Sequence, residues 1–255
     1  MARFYIAPAA WNIDRLILDP SESHHCLDVL RMQPGDRATV FDGRGHEATV
    51  EIASANKGRV DLKVLQHSKS PLLGCELVLG QAIPKGKNMD LIIEKATELG
   101  AAAIVPLLSE RTVVRLDPDE ALDKKNKWQR VAIEAGKQCG RNWLPEIRKP
   151  VSPKAFFESG EKFDLMLIAS LQPDARHLKT ALREYFEDSG PKTDAVPSRV
   201  LVLVGPEGDF TPAEVSMAKG AGCRPITLGP IILRTETAAM YCLSVLSHEF
   251  FGDEV

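Results

Sequence analysis

Two apolar runs, FDLMLIA at 163–169, broken only by Asp164 near its start, and VLVLVG at 200–205, constrain this chain more than any other feature. A strand with one wet face alternates apolar and polar residues. A run without alternation is covered on both faces, as central strands of parallel sheets are. ELVLGQAI at 76–83, AAAIVPL at 101–107 and PITLG at 225–229 read as further strands of the same sheet. Helical patterns separate them. MDLIIEKATELG is amphipathic and ends at Gly100, the position where a left-handed residue closes a helix. A long helix runs from about Asp119 to Gln138. Thr211-Pro212-Ala213-Glu214 supplies an N-cap, a proline at the first helical position and an acidic third position, opening a helix to about Gly220. A final helix spans Thr235 to Phe251. Alternation of this kind predicts an α/β unit: a mostly parallel sheet with helices on both faces.

Residues 1–70 follow another rhythm. RFYIA, RLIL, RATVFD, HEATVEIA and RVDLKVL are short β-prone runs, separated by turns such as Pro34-Gly35-Asp36 and Asp42-Gly43-Arg44-Gly45. One helix, Ser21 to Arg31 with Ser21 as its N-cap, interrupts them. Ser70-Pro71-Leu72-Leu73-Gly74 reads as a short linker.

Composition narrows the class. The 255 residues are 44% hydrophobic and 26% charged, ordinary for a globular protein. No stretch approaches the roughly 20 apolar residues that cross a bilayer, so a soluble cytoplasmic protein without a membrane partner is expected. Five scattered cysteines, with no CxxC pair, point to small buried apolar residues, not to a disulfide framework or zinc ribbon. His24 and His25 have no second ligand cluster at metal spacing, and no metal is expected. Formal net charge is −3, yet residues 85–149 carry 13 Lys/Arg against 10 Asp/Glu while 150–255 carry 10 against 15. A nucleic-acid partner would therefore be held by a local basic patch.

Ligands of open parallel sheets bind beyond the carboxyl ends of the strands. Two loops stand there, GPEGDF at 205–210 and LGPIILRTETA at 228–238. Neither matches a phosphate loop, a dinucleotide fingerprint or a nucleophile elbow, which weakens the case for NTPases, dinucleotide enzymes and serine hydrolases. GPEGDF by itself reads more readily as a tight turn before a helix than as a ligand loop. The second loop is apolar and then sets Arg, Thr, Glu and Thr together at a helix start, which suits an adenosine better than a phosphate.

GPEGDFTPAE followed by LGPIILRTETA resembles the SPOUT (trefoil-knotted) methyltransferases, and within them the small-subunit 16S ribosomal RNA uridine-N3 methyltransferases. HHCLDVLRMQPGD, PKGKNMDLIIEKATELGAAAIVPLLSERTV and RVAIEAGKQCGRNWLPEI extend the resemblance over essentially the whole chain. Departures are Asp209 where a second glycine is usual, Pro230-Ile231, and Lys137 in place of a frequent acidic residue. The resemblance implies a PUA-like β-barrel RNA-binding domain at 1–72 and a knotted methyltransferase domain at 73–255. It further implies S-adenosylmethionine as cofactor, 16S ribosomal RNA in the small subunit as substrate, and a homodimer. It places the cofactor on Leu171, Gly205, Glu207, Gly208, Leu228, Gly229, Ile232, Leu233, Thr235, Thr237 and Ala238. It makes Lys85, Lys87, Arg111 and Arg141 RNA contacts, with Arg31 and His25 as further candidates. The last helix, apolar nearly all round from Ala238 to Leu246, agrees with a subunit interface there.

Uridine N3 carries a weakly acidic proton, and its anion spreads onto the flanking carbonyl oxygens. A planar cation at those oxygens favours the anion, and Arg234 is the catalytic candidate. The alternative is a structural ion pair from Arg234 to Glu236 or Glu207. No residue stands out as a general base. Competing functions are a knotted methyltransferase acting on transfer RNA or a ribose hydroxyl, and a non-catalytic ribosome-assembly protein.

Overall fold

The computed structural model describes residues 1–56, 58–188 and 196–251, which divide into two compact units. One comprises 1–72 with 133–144, the other 73–132 with 145–251 among those described residues.

In the first unit, β1 (Arg3–Tyr5), β2 (Leu16–Leu18), β3 (Arg37–Phe41), β4 (His46–Asn56) and β5 (Arg59–Lys69) form a sheet of order β1-β3-β4-β5-β2. The β1–β3 ladder is parallel and the rest antiparallel. Alternate residues such as Ala48, Val50 and Ile52 turn inward onto Phe4, Leu16, Leu18 and Val40. The helix expected from Ser21 differs in detail. Helix α1 (Pro20–His24) is capped two residues earlier, by Asp19, which accepts the Glu22 amide at 2.8 Å while Pro20 takes the first position. A π-turn at His25–Val29 then ends the segment before Arg31, whose φ is 55°. His24 Nδ1 lies 2.6 Å from Asp28, and the His25 ring packs edge-on to Phe4.

The second unit is a seven-stranded, wholly parallel sheet. Its strands are β6 (Glu76–Ala82), β7 (Ala103–Leu107), β8 (Glu146–Ile147), β9 (Leu165–Ala169), β10 (Arg176–His177), β11 (Arg199–Val204) and β12 (Arg224–Thr227). They run in the order β10-β12-β9-β11-β6-β7-β8. The apolar runs do cover both faces. Leu77, Leu79, Val200, Val202, Leu165 and Leu167 face one core, and Val78, Leu201, Leu203 and Ile168 the other. Helices α2 (Asn88–Glu98), α5 (Leu178–Asp188) and α7 (Thr235–Phe250), with the first part of α3 (Pro118–Cys139), cover the first face. Helices α4 (Pro153–Glu158) and α6 (Pro212–Gly220) cover the second. Gly100, at φ 88°, closes α2, and Thr211 with Glu214 forms a complete capping box on α6. Helices α4 and α5 and the two-residue strands β8 and β10 were not evident in the sequence pattern.

Helix α7 is less uniformly buried than its composition predicts. Ala238, Ala239, Cys242, Leu243, Leu246 and Phe250 form one helical stripe in the unit's own core. Tyr241, Ser244, Val245 and His248 turn outward and, with Phe186 of α5, wall a groove of about 1040 Å³. Four of the five cysteines are buried, and burial pushes Cys223 and Cys242 up to about 12.

Candidate active site

Because all seven strands are parallel, the loops after β6, β7, β9, β11 and β12 emerge at one edge of the sheet. The three from β9, β11 and β12 enclose a cavity of about 680 Å³. Leu171, Gly205, Glu207, Leu228, Gly229, Ile232, Leu233, Arg234, Thr235 and Ala238 all line it. Gly208 and Thr237 do not. Thr237 lies two residues from the inward-facing Thr235, on the exposed side of α7, and the Gly208 carbonyl instead accepts Arg111 Nη1 at 2.5 Å.

The lining is apolar where the wall is loop. Leu171, Ile231 and Ile232 are 61%, 74% and 76% exposed and line one cavity, a clustered aliphatic surface of the kind that marks a ligand groove. Asp209 shapes the opposite side. It adopts φ 61°, a left-handed conformation in which glycine is the easiest residue and Asp is tolerated. Its carboxylate accepts the Leu171 amide at 3.0 Å and the Phe210 amide at 2.8 Å, tying the β9 loop to the β11 loop. Gly205 leaves room beside it, since a Cβ there would stand a tight 3.1 Å from both Asp209 Oδ1 and the Phe210 nitrogen.

A residue missed by the sequence reading anchors the floor. Gln81, fully buried at the end of β6, donates through Nε2 to the Ala82 carbonyl at 2.8 Å and to Thr235 Oγ1 at 3.0 Å. Thr235 in turn donates to the Gly205 carbonyl at 2.6 Å. One amide thus joins β6, the β11 loop and the start of α7. The signal was a lone polar side chain within the run Leu77–Ile83.

Arg234 is exposed at the cavity mouth, and among the described residues its guanidinium makes no hydrogen bond or ion pair. Its two suggested partners are engaged elsewhere: Glu207 accepts the Lys85 amide at 2.9 Å, and Glu236 accepts from Asn88 at 3.4 Å. Lys85 and Lys87 are exposed in the loop after β6, their ammonium groups unpaired among the described residues. Arg111, after β7, is exposed but held by Gly208. Arg31 and Arg141 belong to the other unit, Arg31 exposed and Arg141 half-buried, where burial brings its guanidinium down to about 10. Lys137, the basic departure, is a structural residue: its ammonium lies 2.6 Å from Glu22 and 2.8 Å from Glu134. No helix among the described residues is long and apolar enough to cross a membrane.

Residues 71–247 match the RNA methyltransferase domain family, and residues 18–65 match the RNA methyltransferase PUA domain. The ribosomal RNA small subunit methyltransferase E of Bacillus subtilis is 32% identical over 98% of this chain and 97% of its own length. The enzyme of that name from Aquifex aeolicus is 30% identical over 95% and 97%. The crystal structure of a ribosomal RNA small subunit methyltransferase E from Neisseria gonorrhoeae bound to S-adenosyl methionine superposes with a TM-score of 0.82, at 29% identity over 97% of each chain. A Legionella pneumophila structure in complex with SAM gives 0.84, at 33% identity over 96% of each. The chain belongs to the RNA methyltransferase family represented by small subunit methyltransferase E.

Proposed function

We propose that the chain is a cytoplasmic S-adenosylmethionine-dependent methyltransferase acting on N3 of a uridine in 16S ribosomal RNA of the small subunit. The observation that carries this reading is the cavity itself, an aliphatic loop wall with an unpaired arginine at its mouth. The cavity fits the cofactor. Leu171, Ile231, Ile232 and Leu233 offer faces for an adenine, loop backbone groups offer hydrogen bonds to its edge, and Glu207 and Asp209 suit the cofactor's ammonium and sulfonium cations. The cofactor, when bound, supplies an activated methyl group, so the protein's work is positioning and charge stabilisation. Glycine at 205 lets the backbone approach closely, and Gln81 with Thr235 fixes the loops that grip the ligand. Arg234 orients the uracil through its carbonyl oxygens and favours the N3 anion. Lys85 and Lys87 bind phosphates beside the cavity. Arg111 braces Gly208 and contacts RNA from the same edge, and Arg31 and Arg141 contact it from the first unit.

The same proposal includes a PUA-like domain boundary at 72/73, the trefoil-knotted path of the C-terminal segment and a homodimer through the outward face of α7. The knot is part of the proposal through the resemblance of the 205–214 and 228–238 segments to the trefoil-knotted methyltransferases.

Calorimetry with S-adenosylmethionine, followed by mapping of modified uridines in small-subunit RNA from cells lacking the protein, tests the reading. Saturable binding and one lost N3-methyluridine are expected. A chain that fails to bind S-adenosylmethionine is not this enzyme. Arg234→Ala should lower the single-turnover rate on the order of 10²-fold with cofactor affinity nearly unchanged, the loss typical of one removed charge-stabilising donor. A normal rate in the folded variant would end the catalytic role.

A further inference from the structure

The first unit carries a cluster of flat rings that the methyl-transfer site does not use. Trp11 and His46 stack with centroids 6.0 Å apart and planes 25° apart; His46 and His67 stack at 5.8 Å and 20°. Trp11 and His67 are 6.5 Å apart, so the three rings tile one patch.

A β-bulge builds this patch. Between β4 and β5 the register passes from Val50↔Val64 to Thr49↔Gln66, leaving Leu65 as an extra residue. Before it, Val60, Leu62 and Val64 turn inward; beyond it, His67 pairs with Ala48 and Lys69 with His46. Simple alternation would have kept His67 on the opposite face from His46, whereas one inserted residue reverses the parity. His46 is also locked in place. Asp42, 3% exposed, accepts His46 Nδ1 at 2.7 Å, the His46 amide at 3.0 Å and the Arg44 amide at 2.7 Å. Trp11 covers the sheet's core while remaining half-exposed, and His67 is exposed.

The rim is cationic. Lys69, cross-strand from His46, and Arg44, in the turn before it, are both exposed, and neither makes an ion pair among the described residues. Flat rings bordered by free cations are the recognition chemistry of unpaired nucleotides: any base stacks on a ring face, and the cations meet the phosphates.

We propose that Trp11, His46 and His67 form a stacking platform for an unpaired nucleotide of the RNA substrate, with Lys69 and Arg44 holding the adjoining phosphates. The proposal rests on the reading of the chain as an RNA methyltransferase and adds a second, sequence-tolerant contact remote in chain position from the cofactor loops.

Fluorescence anisotropy of the full chain with a short labelled single-stranded oligouridylate tests it, with calorimetry against S-adenosylmethionine and a melting curve for each variant. Stacking lost from one ring lowers affinity about ten-fold. Trp11→Ala and His67→Ala should each show such a loss with unchanged cofactor affinity, and Trp11→Phe, which keeps a flat ring, should retain most of the binding. Wild-type affinity in both alanine variants overturns the platform. So does a loss confined to a Trp11→Ala protein that has also lost melting temperature, because the exposed His67 then contributes nothing and the tryptophan serves only the core. Oligouridylate binding that depends on both rings, in a chain that ignores S-adenosylmethionine, would keep the platform and overturn the enzymatic reading.

Discussion

Gln81→Glu changes one buried atom group and little volume, so its effect can be worked from the geometry. The Gln81 Nε2 group faces three oxygens: the Ala82 carbonyl at 2.8 Å, Thr235 Oγ1 at 3.0 Å and the Val204 carbonyl at 3.4 Å. Thr235 already donates its only proton to Gly205, so it has none to offer a carboxylate. An ionised carboxylate in place of this amide would therefore sit fully buried among acceptors, and burial without donors holds a carboxyl neutral well above its usual range. The sign follows from proton linkage. The folded variant keeps a proton that the unfolded chain releases near pH 4, so its stability is greatest in acid and falls as pH rises toward the raised value. The slope is about 1.4 kcal/mol per pH unit. For a unit of this size that is about 3–5 °C of Tm per pH unit relative to wild type. Circular dichroism melts of both proteins between about pH 5 and 8 would measure it. S-adenosylmethionine affinity should recover toward wild type at the acid end, where the neutral side chain can still donate one hydrogen bond. A deficit that does not change with pH would refute the assignment of Gln81 as a buried donor.

Other perturbations probe separate parts of the molecule. Lys137→Ala leaves Glu22, whose side chain is 10% exposed, without its cation, and unfolding free energy should drop by about 3 kcal/mol. Adding Glu22→Leu with Lys137→Met should recover most of that, measured by urea denaturation. The Arg148 hydrogen bonds hold the Glu161 carboxyl down to about 2, with burial opposing and Arg199 assisting. Its contribution is complete above about pH 4.5 and lost as pH falls toward 2, so Glu161→Gln should flatten the acid limb of the Tm profile in that window. Tyr241→Glu with Val245→Glu, on the outward face of α7, should yield a folded monomer by light scattering; Leu243 is unsuitable because it is 1% exposed within the unit itself. A wild-type protein that is monomeric at micromolar concentration removes the dimer.

The parallel sheet was legible because its strands obey a two-sided burial rule that leaves unbroken apolar runs at 165–169 and 200–205. Cap chemistry was legible for the same local reason at Thr211 and Gly100, and misread at Ser21 because Asp19-Pro20 supplies the cap two residues earlier. The strands β8 and β10 are too short to carry any period at all. The cavity lining divides along the same line. The two loops between a buried strand and a helix stood out by position and the family resemblance supplied their individual residues, whereas Asn88 enters from the far end of another loop and Gln81 acts from inside a strand. The histidine pair makes the limit clearest. His46 and His67 lie 21 residues apart, and strict alternation assigns them no common face; one unpaired residue at Leu65 decides that they meet. Parity is a global property of a ladder, set by the last bulge crossed. A bulge leaves almost no mark in composition, so the faces beyond it belong to the folded register and not to the string.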